Sequence, residues 1–249
     1  MKDSTRIEKS WFPEIDAGGF TSLDGTIEFY TRINALLKPE MTVLDFGAGR
    51  GAKLTDDRSS YKKRLMSLKG QVAKVIGCDI DDTVLNNPGV DETIIIEADT
   101  SLPFANETFD LIISDFVLEH IANPALISAE FLRILKPGGW ICARTPNKYN
   151  LISLISKLIP NSAHSSVLRW VQPGRKSIDV FPTIFKLNSK RDINKWFQAD
   201  AFENFTYRYE AEPSYFFNNS VVFALMLLIN RLSPSMMKSG LFVFLRKKG

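Results

Sequence analysis

From about Met41 to Arg144 the chain alternates short apolar runs with longer amphipathic stretches. Parallel neighbours in a sheet need a crossover between them, and a helix is the compact way to make one. The rhythm therefore predicts an α/β core, a mostly parallel sheet covered by helices. Met41–Phe46, Val72–Cys78, Thr93–Glu97, Phe109–Ser114 and Trp140–Arg144 are β-branched or apolar and bounded by Gly, Pro, Asp or Asn, as strands are. Tyr61–Lys69 and Pro124–Leu135 have helical spacing. Asn123 reads as an N-cap, Pro124 suits a first turn, and Lys136-Pro137-Gly138-Gly139 supplies a stop and a turn into the next strand.

Outside this core the pattern changes. Thr26–Leu37 reads as a helix ended by Lys38-Pro39, a cover over the sheet edge or the cleft. Leu151, Ile152, Leu154, Ile155, Leu158 and Ile159 mark an amphipathic helix stopped by Pro160, and a helix follows around Arg191–Gln198. Strands are expected at Phe205–Ala211 and Leu241–Arg246, with the apolar stretch Phe216–Leu232 between them. With 249 residues, one elaborated domain is expected. Its parts are cover helices over 1–40, a cofactor-binding core over 41–146, a cap or substrate insertion over 147–200, and the last two strands over 201–249 with the apolar helix 216–232 inserted.

Composition narrows the class of partner. At 45% hydrophobic and 24% charged residues the chain can build a core and falls outside the disordered and disulfide-scaffold classes. Cys78 and Cys142 sit in apolar runs without metal-ligand spacing, so buried thiols are expected. A net charge of +3 is too balanced for a phosphate-tracking surface, so nucleic acid is not expected. The polar start, Met1 to Lys9, carries no secretory pattern, which makes the cytoplasm the expected compartment. Val221–Ile229 is apolar without a break but shorter than the ~20 residues a spanning helix needs.

In Val43-Leu-Asp-Phe-Gly-Ala-Gly-Arg-Gly-Ala52 a strand runs into a turn with Gly at 47, 49 and 51. Missing side chains let the backbone bend sharply and let a ligand approach the main chain. Gly47-x-Gly49-x-x-Ala52 also fits the dinucleotide fingerprint, so the turn alone admits either a nicotinamide or a nucleoside cofactor. Three features oppose the dinucleotide. The acid ending the second strand, Asp79, lies 28 residues beyond Gly51, where that fingerprint places its ribose-binding acid about 20 residues on. Asp45 precedes the turn, where it would repel a pyrophosphate and attract a sulfonium or an ammonium. Asp99 follows the third strand, where a carboxylate can accept from an adenine amino group.

On Val43–Gly51, Ile-Gly-Cys-Asp-Ile-Asp (76–81), Ala-Asp-Thr-Ser-Leu-Pro-Phe (98–104), Phe-Asp-Leu-Ile-Ile-Ser (109–114), Val-Leu-Glu-His-Ile (117–121) and Leu-Lys-Pro-Gly-Gly (135–139), the chain resembles the class I S-adenosylmethionine-dependent methyltransferases of the type 11 group. The resemblance covers about 41–146 and implies a Rossmann-like, seven-stranded, mostly parallel sheet with an antiparallel last strand and helical cap insertions. It also implies S-adenosyl-L-methionine as cofactor. Carried over by position, Asp45, Gly47, Ala48, Gly49 and Gly51 would hold the methionyl end, Asp79 the ribose hydroxyls, and Ile80 one face of the adenine. Asp99 with Thr100 would meet the adenine amino edge, and Ser114, Asp115 and Phe116 would line the far wall. Similar ubiquinone-pathway enzymes carry Glu-x-x-Glu-His after the fourth strand. Here Phe116-x-x-Glu119-His120 lacks one ligand, so no metal is expected.

Methyl transfer is a displacement at an activated carbon, so placing the acceptor supplies much of the catalysis. An oxygen acceptor is helped by a base, and the two histidines, His120 and His164, are the candidates. Asn147, Tyr149 and Asn150 at the sheet's carboxyl edge, with Thr183 and Phe185 in the insertion, are candidate acceptor contacts. The expected activity is methyl transfer to a small molecule or saccharide, most readily at oxygen. A lipid-linked acceptor and peripheral membrane contact through the apolar helices are also considered. A nicotinamide oxidoreductase and a catalytically silent cofactor-binding subunit are the competing readings; the sequence leaves the acceptor and oligomeric state open.

Overall fold

The computed structural model describes residues 2–57, 59–150, 182–213 and 219–249. One sheet carries the core. Its first five strands are β1 (Thr42–Phe46), β2 (Lys74–Asp79), β3 (Glu92–Ile95), β4 (Phe109–Asp115) and β5 (Leu135–Pro146). The last three are β6 (Phe202–Asn204), β7 (Tyr207–Tyr209) and β8 (Gly240–Lys247). The order is β3-β2-β1-β4-β5-β8-β6, with β7 also on β8. β1 to β5 pair in parallel, and β8 is antiparallel to β5, β6 and β7.

Two details depart from the sequence expectation. Lys136–Gly139 does not close a turn ahead of a short strand. β5 already begins at Leu135, which pairs with Phe109, and the ladder resumes at Trp140 opposite Leu111, so these residues form an irregularity inside a longer strand. The last expected strand pair is also subdivided. β6 and β7 hold one register against β8, with Asn204 opposite Leu245 and Tyr207 opposite Phe242, and the Phe205 amide bonds the Phe244 carbonyl between them. Eight strands therefore fill seven positions of the sheet.

Alternation along β1 sorts the two faces. Leu44 and Phe46 enter a cluster with Ile112, Phe131 and Ile141 under α5 (Pro124–Ile134). Val43 points the other way, into a cluster with Val75, Ile113 and Phe242. That second face is covered by α2 (Gly25–Leu36), whose Phe29, Tyr30 and Ile33 are fully buried. α2 starts where the Asp24 carboxylate accepts from the Thr26 and Ile27 amides. Asn123 caps α5 through the Leu126 amide, as its position predicts. α1 (Lys2–Trp11) precedes α2; α3 (Ala52–Thr55) and α4 (Ser60–Met66) connect β1 to β2; α6 (Lys190–Trp196) precedes β6. Both cysteines are buried, and burial pushes their thiols up.

α7 (Ser220–Leu232) enters between β7 and β8 and is capped by Asn219. It buries Phe223 against Trp11 and Phe12 and leaves Val221, Leu225, Leu228 and Leu232 exposed. Among the described residues no helix is long and apolar enough to cross a membrane. The expected helix over 151–159, His164, and the start of the 216–232 stretch lie outside the described residues.

Candidate cofactor site at the carboxyl edge of the sheet

The parallel strands end together, so the loops after β1, β2, β3, β4 and β5 share one edge. All three glycines of the turn after β1 have positive φ, but they are required for different reasons. A Cβ on Gly47 would meet the Val117 side chain at 2.2 Å, and one on Gly51 would meet Asn87 Oδ1 at 2.5 Å. Protein atoms fill those two gaps. At Gly49 the nearest atom to an added Cβ is Asp79 Oδ2, 3.9 Å away, so this is the glycine with room in front of it. Asn87, which the sequence reading passed over, clamps the turn from behind: its amide donates to the Ala48 and Gly49 carbonyls. The Asn87-Pro88-Gly89 turn signal was its only trace in the sequence.

The hydrogen bonds of the turn separate the two cofactor readings. A pyrophosphate cradle needs amides aimed at the ligand. Here the Gly47 and Ala48 amides donate to the Cys78 carbonyl at 2.8 and 3.1 Å, and the Gly49 amide donates to Asp79 Oδ2 at 2.8 Å. The donors are spent within the protein and a carboxylate stands beside them, which disfavours a phosphate. Asp79 Oδ1 accepts from the Asp81 amide at 3.0 Å, so the carboxylate is oriented at the mouth of the turn.

Beneath the turn lies a buried charged cluster that sequence spacing did not reveal. Asp45 Oδ2 accepts from Lys53 Nζ at 3.0 Å. Arg144 holds Asp115 with two nitrogens, at 2.5 and 3.1 Å, and the Tyr30 hydroxyl donates to Asp115 Oδ2 at 2.9 Å. The Arg144 guanidinium also donates to Thr26 Oγ1 and lies 4.8 Å from the centre of the Phe116 ring. Burial would raise the Asp115 pKa, but Arg144 and Lys53 outweigh it and hold the carboxyl below its ordinary value. Burial would likewise depress Lys53, and Asp45, Tyr30 and Asp115 reverse that and raise it. The Tyr30 phenol is pushed up by burial and then by Asp115.

The expected wall and adenine residues divide accordingly. Ile80 and Phe116 are exposed at 53% and 49%, Phe116 with a φ of +59°, and both present apolar surface at the edge. Asp99 is exposed with a φ of +56°, while the Thr100 hydroxyl donates to the Glu97 carbonyl and serves the turn. Ser114 is fully buried, and Asp115 is buried and held by Arg144 and Tyr30. Their side chains are turned into the protein.

The acceptor candidates divide in the same way. Asn147 is fully buried, and its amide donates to the Met236 and Lys238 carbonyls; Asn150 is buried and donates to the Ser239 carbonyl. Both fasten the end of β5 to the segment before β8. Tyr149 remains 37% exposed, Thr183 is exposed, and Phe185 is half-buried with a φ of +57°. His120 ends the short turn after β4, and its Nδ1 lies 2.7 Å from the Pro182 carbonyl. A carbonyl only accepts, so Nδ1 carries the proton and Nε2 is the basic nitrogen of the neutral ring. Glu119, beside it, is buried and accepts from Thr145 Oγ1, which in turn accepts from Asn188. Its backbone carbonyl accepts from the Ile184 and Phe185 amides, so the strand after 182 is hydrogen-bonded to the histidine turn. Among the described residues no cluster with metal-ligand character occurs.

Residues 44–143 match the family described as Methyltransferase domain, the type 11 group. This stretch is a class I methyltransferase domain. Over 106 residues the chain is 32% identical to the ubiquinone/menaquinone biosynthesis C-methyltransferase UbiE of Saccharophagus degradans. That match covers 39% of each protein, so the methyltransferase domain aligned here is well under half of the relative's own length. Among solved structures, the methyltransferase chain bound to the Haloferax volcanii Trm112 activator superposes with a TM-score of 0.56 at 14% identity, covering 99% of this chain and 96% of that one. A geranyl diphosphate methyltransferase solved with geranyl diphosphate and sinefungin gives 0.56 at 14%, covering 89% and 77%. At such identities the structural likeness concerns the fold. The methyltransferase domain also fits the cofactor of its class on its own evidence. One Asp45 oxygen is buried without a hydrogen-bond partner, Gly49 has open space in front of it, and the Gly49 amide is already engaged by Asp79.

Proposed function

We propose that this chain is an S-adenosylmethionine-dependent methyltransferase acting on a small molecule or saccharide, with the methyl delivered to oxygen. The observation that carries the cofactor half is the glycine turn. Its Gly47, Ala48 and Gly49 amides are spent on Cys78 and Asp79, which sets the Asp79 carboxylate beside the turn for a cationic nucleoside to meet. The cofactor supplies a methyl group already activated by a positive sulfur. The protein binds it through Asp79 at the ribose, Ile80 at the adenine face and Asp99 at the adenine edge. His120, with its proton held on Nδ1 by Pro182, offers Nε2 to take a proton from a hydroxyl acceptor. Tyr149, Thr183 and Phe185 are the acceptor contacts still presented at this edge.

Calorimetry with S-adenosylhomocysteine and with NAD decides the cofactor. The nucleoside is expected to bind, and Asp79→Ala to weaken it by about 1–3 kcal/mol. Preference for NAD would reject the reading. Release of S-adenosylhomocysteine across a panel of sugars, phenols and polyprenyl-linked sugars then identifies the acceptor, and mass spectrometry of the product identifies the methylated atom. His120→Gln should lower turnover on an oxygen acceptor with cofactor affinity unchanged. A carbon-methylated product would overturn the oxygen assignment, a live comparison because the UbiE relative is named a C-methyltransferase.

The exposed apolar stripe of α7, with Arg231 and Lys238 near its end, supports a second reading, peripheral contact with an anionic membrane that would bring a lipid-linked acceptor within reach.

A further inference from the structure

The turn after β4 and the segment 182–188 are laced together at two points by one residue. The Glu119 carbonyl accepts from the Ile184 and Phe185 amides at 2.7 and 3.1 Å. Its carboxylate Oε2 accepts from the Thr145 hydroxyl at 2.8 Å, and Thr145 Oγ1 accepts from the Asn188 amide at 2.6 Å. Where the segment passes from the first grip to the second, Phe185 has a φ of +57°, a conformation that a bulky side chain seldom adopts unless its surroundings impose it. Pro182 lies just before the first grip, and its carbonyl meets His120 Nδ1 at 2.7 Å.

The side-chain links have only one consistent direction. The Asn188 amide nitrogen can only donate, and it is shared between Thr145 Oγ1 and the Pro146 carbonyl. Thr145 is therefore the acceptor toward Asn188, and its single proton goes to Glu119. All three side chains are buried. Burying polar groups is unfavourable wherever a partner is missing, and Asn188 Oδ1 has none. Despite that cost, the network gives a single arrangement to the elements it joins, namely the turn after β4, the end of β5 and the segment 182–188.

That arrangement bears on the histidine. A neutral imidazole left to water prefers its proton on Nε2, so the Nδ1–H form has to be imposed by a partner of Nδ1. We propose that Glu119, Thr145 and Asn188 are positioning residues for His120, holding the segment 182–188 so that the Pro182 carbonyl keeps the proton on Nδ1 and leaves Nε2 as the basic nitrogen. This rests on the reading of His120 above and adds to it three side chains that act through the ring's partner.

Nitrogen-15 spectra of the imidazole rings in the labelled, ligand-free chain read the tautomer directly, at a pH that keeps the rings neutral. The chain has two histidines, so the signals that vanish in His120→Gln belong to His120. The wild type is expected to hold His120 in the Nδ1–H form. Thr145→Val and Asn188→Ala cut the network at different links, and each should shift the ring to a mixture in which Nε2–H is the larger part. Thr145→Ser keeps the hydroxyl, Glu119→Gln keeps an accepting oxygen, and both should retain the wild-type form. Amide dispersion in the same samples shows which variants are folded; if one of the two cutting variants is not, the other decides. Unfolding of both would make the network a support for the fold and overturn the proposal. So would a wild-type ring in the Nε2–H form, or an Nδ1–H form that persists in both cutting variants. On an oxygen acceptor found by the release assay, kcat should fall with the Nδ1–H fraction while S-adenosylhomocysteine affinity stays within about twofold of the wild type. Loss of the tautomer with kcat unchanged would support the network's hold on the ring and overturn His120 as the base in the proposed function.

Discussion

At the scale of single residues, the buried Asp115–Arg144 pair is the most exacting feature of the site. Both side chains are under a tenth exposed, and Tyr30 and Thr26 complete their hydrogen bonds. Attraction in such a place is offset by the cost of desolvating both ions, so the intact pair is weak evidence of stability, but removing one partner strands the other. Arg144→Met should therefore destabilise the fold by about 3–5 kcal/mol in urea titration, and Asp115→Asn added to it should recover part of that loss. A change under about 0.5 kcal/mol would mean that Asp115 finds water or a proton instead. Because Tyr30 and Thr26 belong to α2, the same variant should also loosen that helix over the cofactor edge, which hydrogen exchange of the α2 amides would report.

Among the elements, α7 carries a clear prediction. Val221, Leu225, Leu228 and Leu232 recur at helical spacing and stay exposed, while Phe223 alone is buried. If that stripe meets lipid, the chain should float with vesicles containing anionic lipid, and Leu225→Glu with Leu228→Glu should return it to the soluble fraction. Wild-type protein left wholly behind would exclude the contact. The elements also show what the sequence made legible. Local signals sufficed for the glycine turn, for the Asn123 cap and for strands whose apolar runs are bounded by turn residues. Lys136–Gly139 misled because a Pro-Gly-Gly stretch resembles a turn wherever it stands, and only pairing with Phe109 shows it lying inside a strand. The charged cluster was invisible for another reason. Tyr30 meets Asp115 across 85 positions and Arg144 meets Thr26 across 118, distances that no periodicity encodes. The backbone partners of Asn147 and Asn150 were equally out of view, because an amide at a sheet edge looks alike in sequence whether it faces a ligand or the backbone at 236–239.

For the molecule as a whole, Glu212 links distant parts of the chain. It follows β7 and sits near the Asp24 cap of α2. Burial, and then the Asp24 carboxylate, push its pKa from 4.5 up to about 7. Between those values the native state keeps a proton that the unfolded chain releases, so this contribution to stability is full below about pH 4.5 and is lost as pH rises through 7. The difference amounts to roughly 3 kcal/mol. Glu212→Gln should flatten that part of the stability profile, and an unchanged slope between pH 5 and 7 would assign it to other groups.

β8 has a consequence for how the molecule comes into being. It lies between β5 and the β6–β7 strand, yet it is made after both. A nascent chain must therefore present the edge of β5 to solvent until residues 240–247 leave the ribosome. Up to that moment β6 and β7 have no strand to pair with, since both bond to β8.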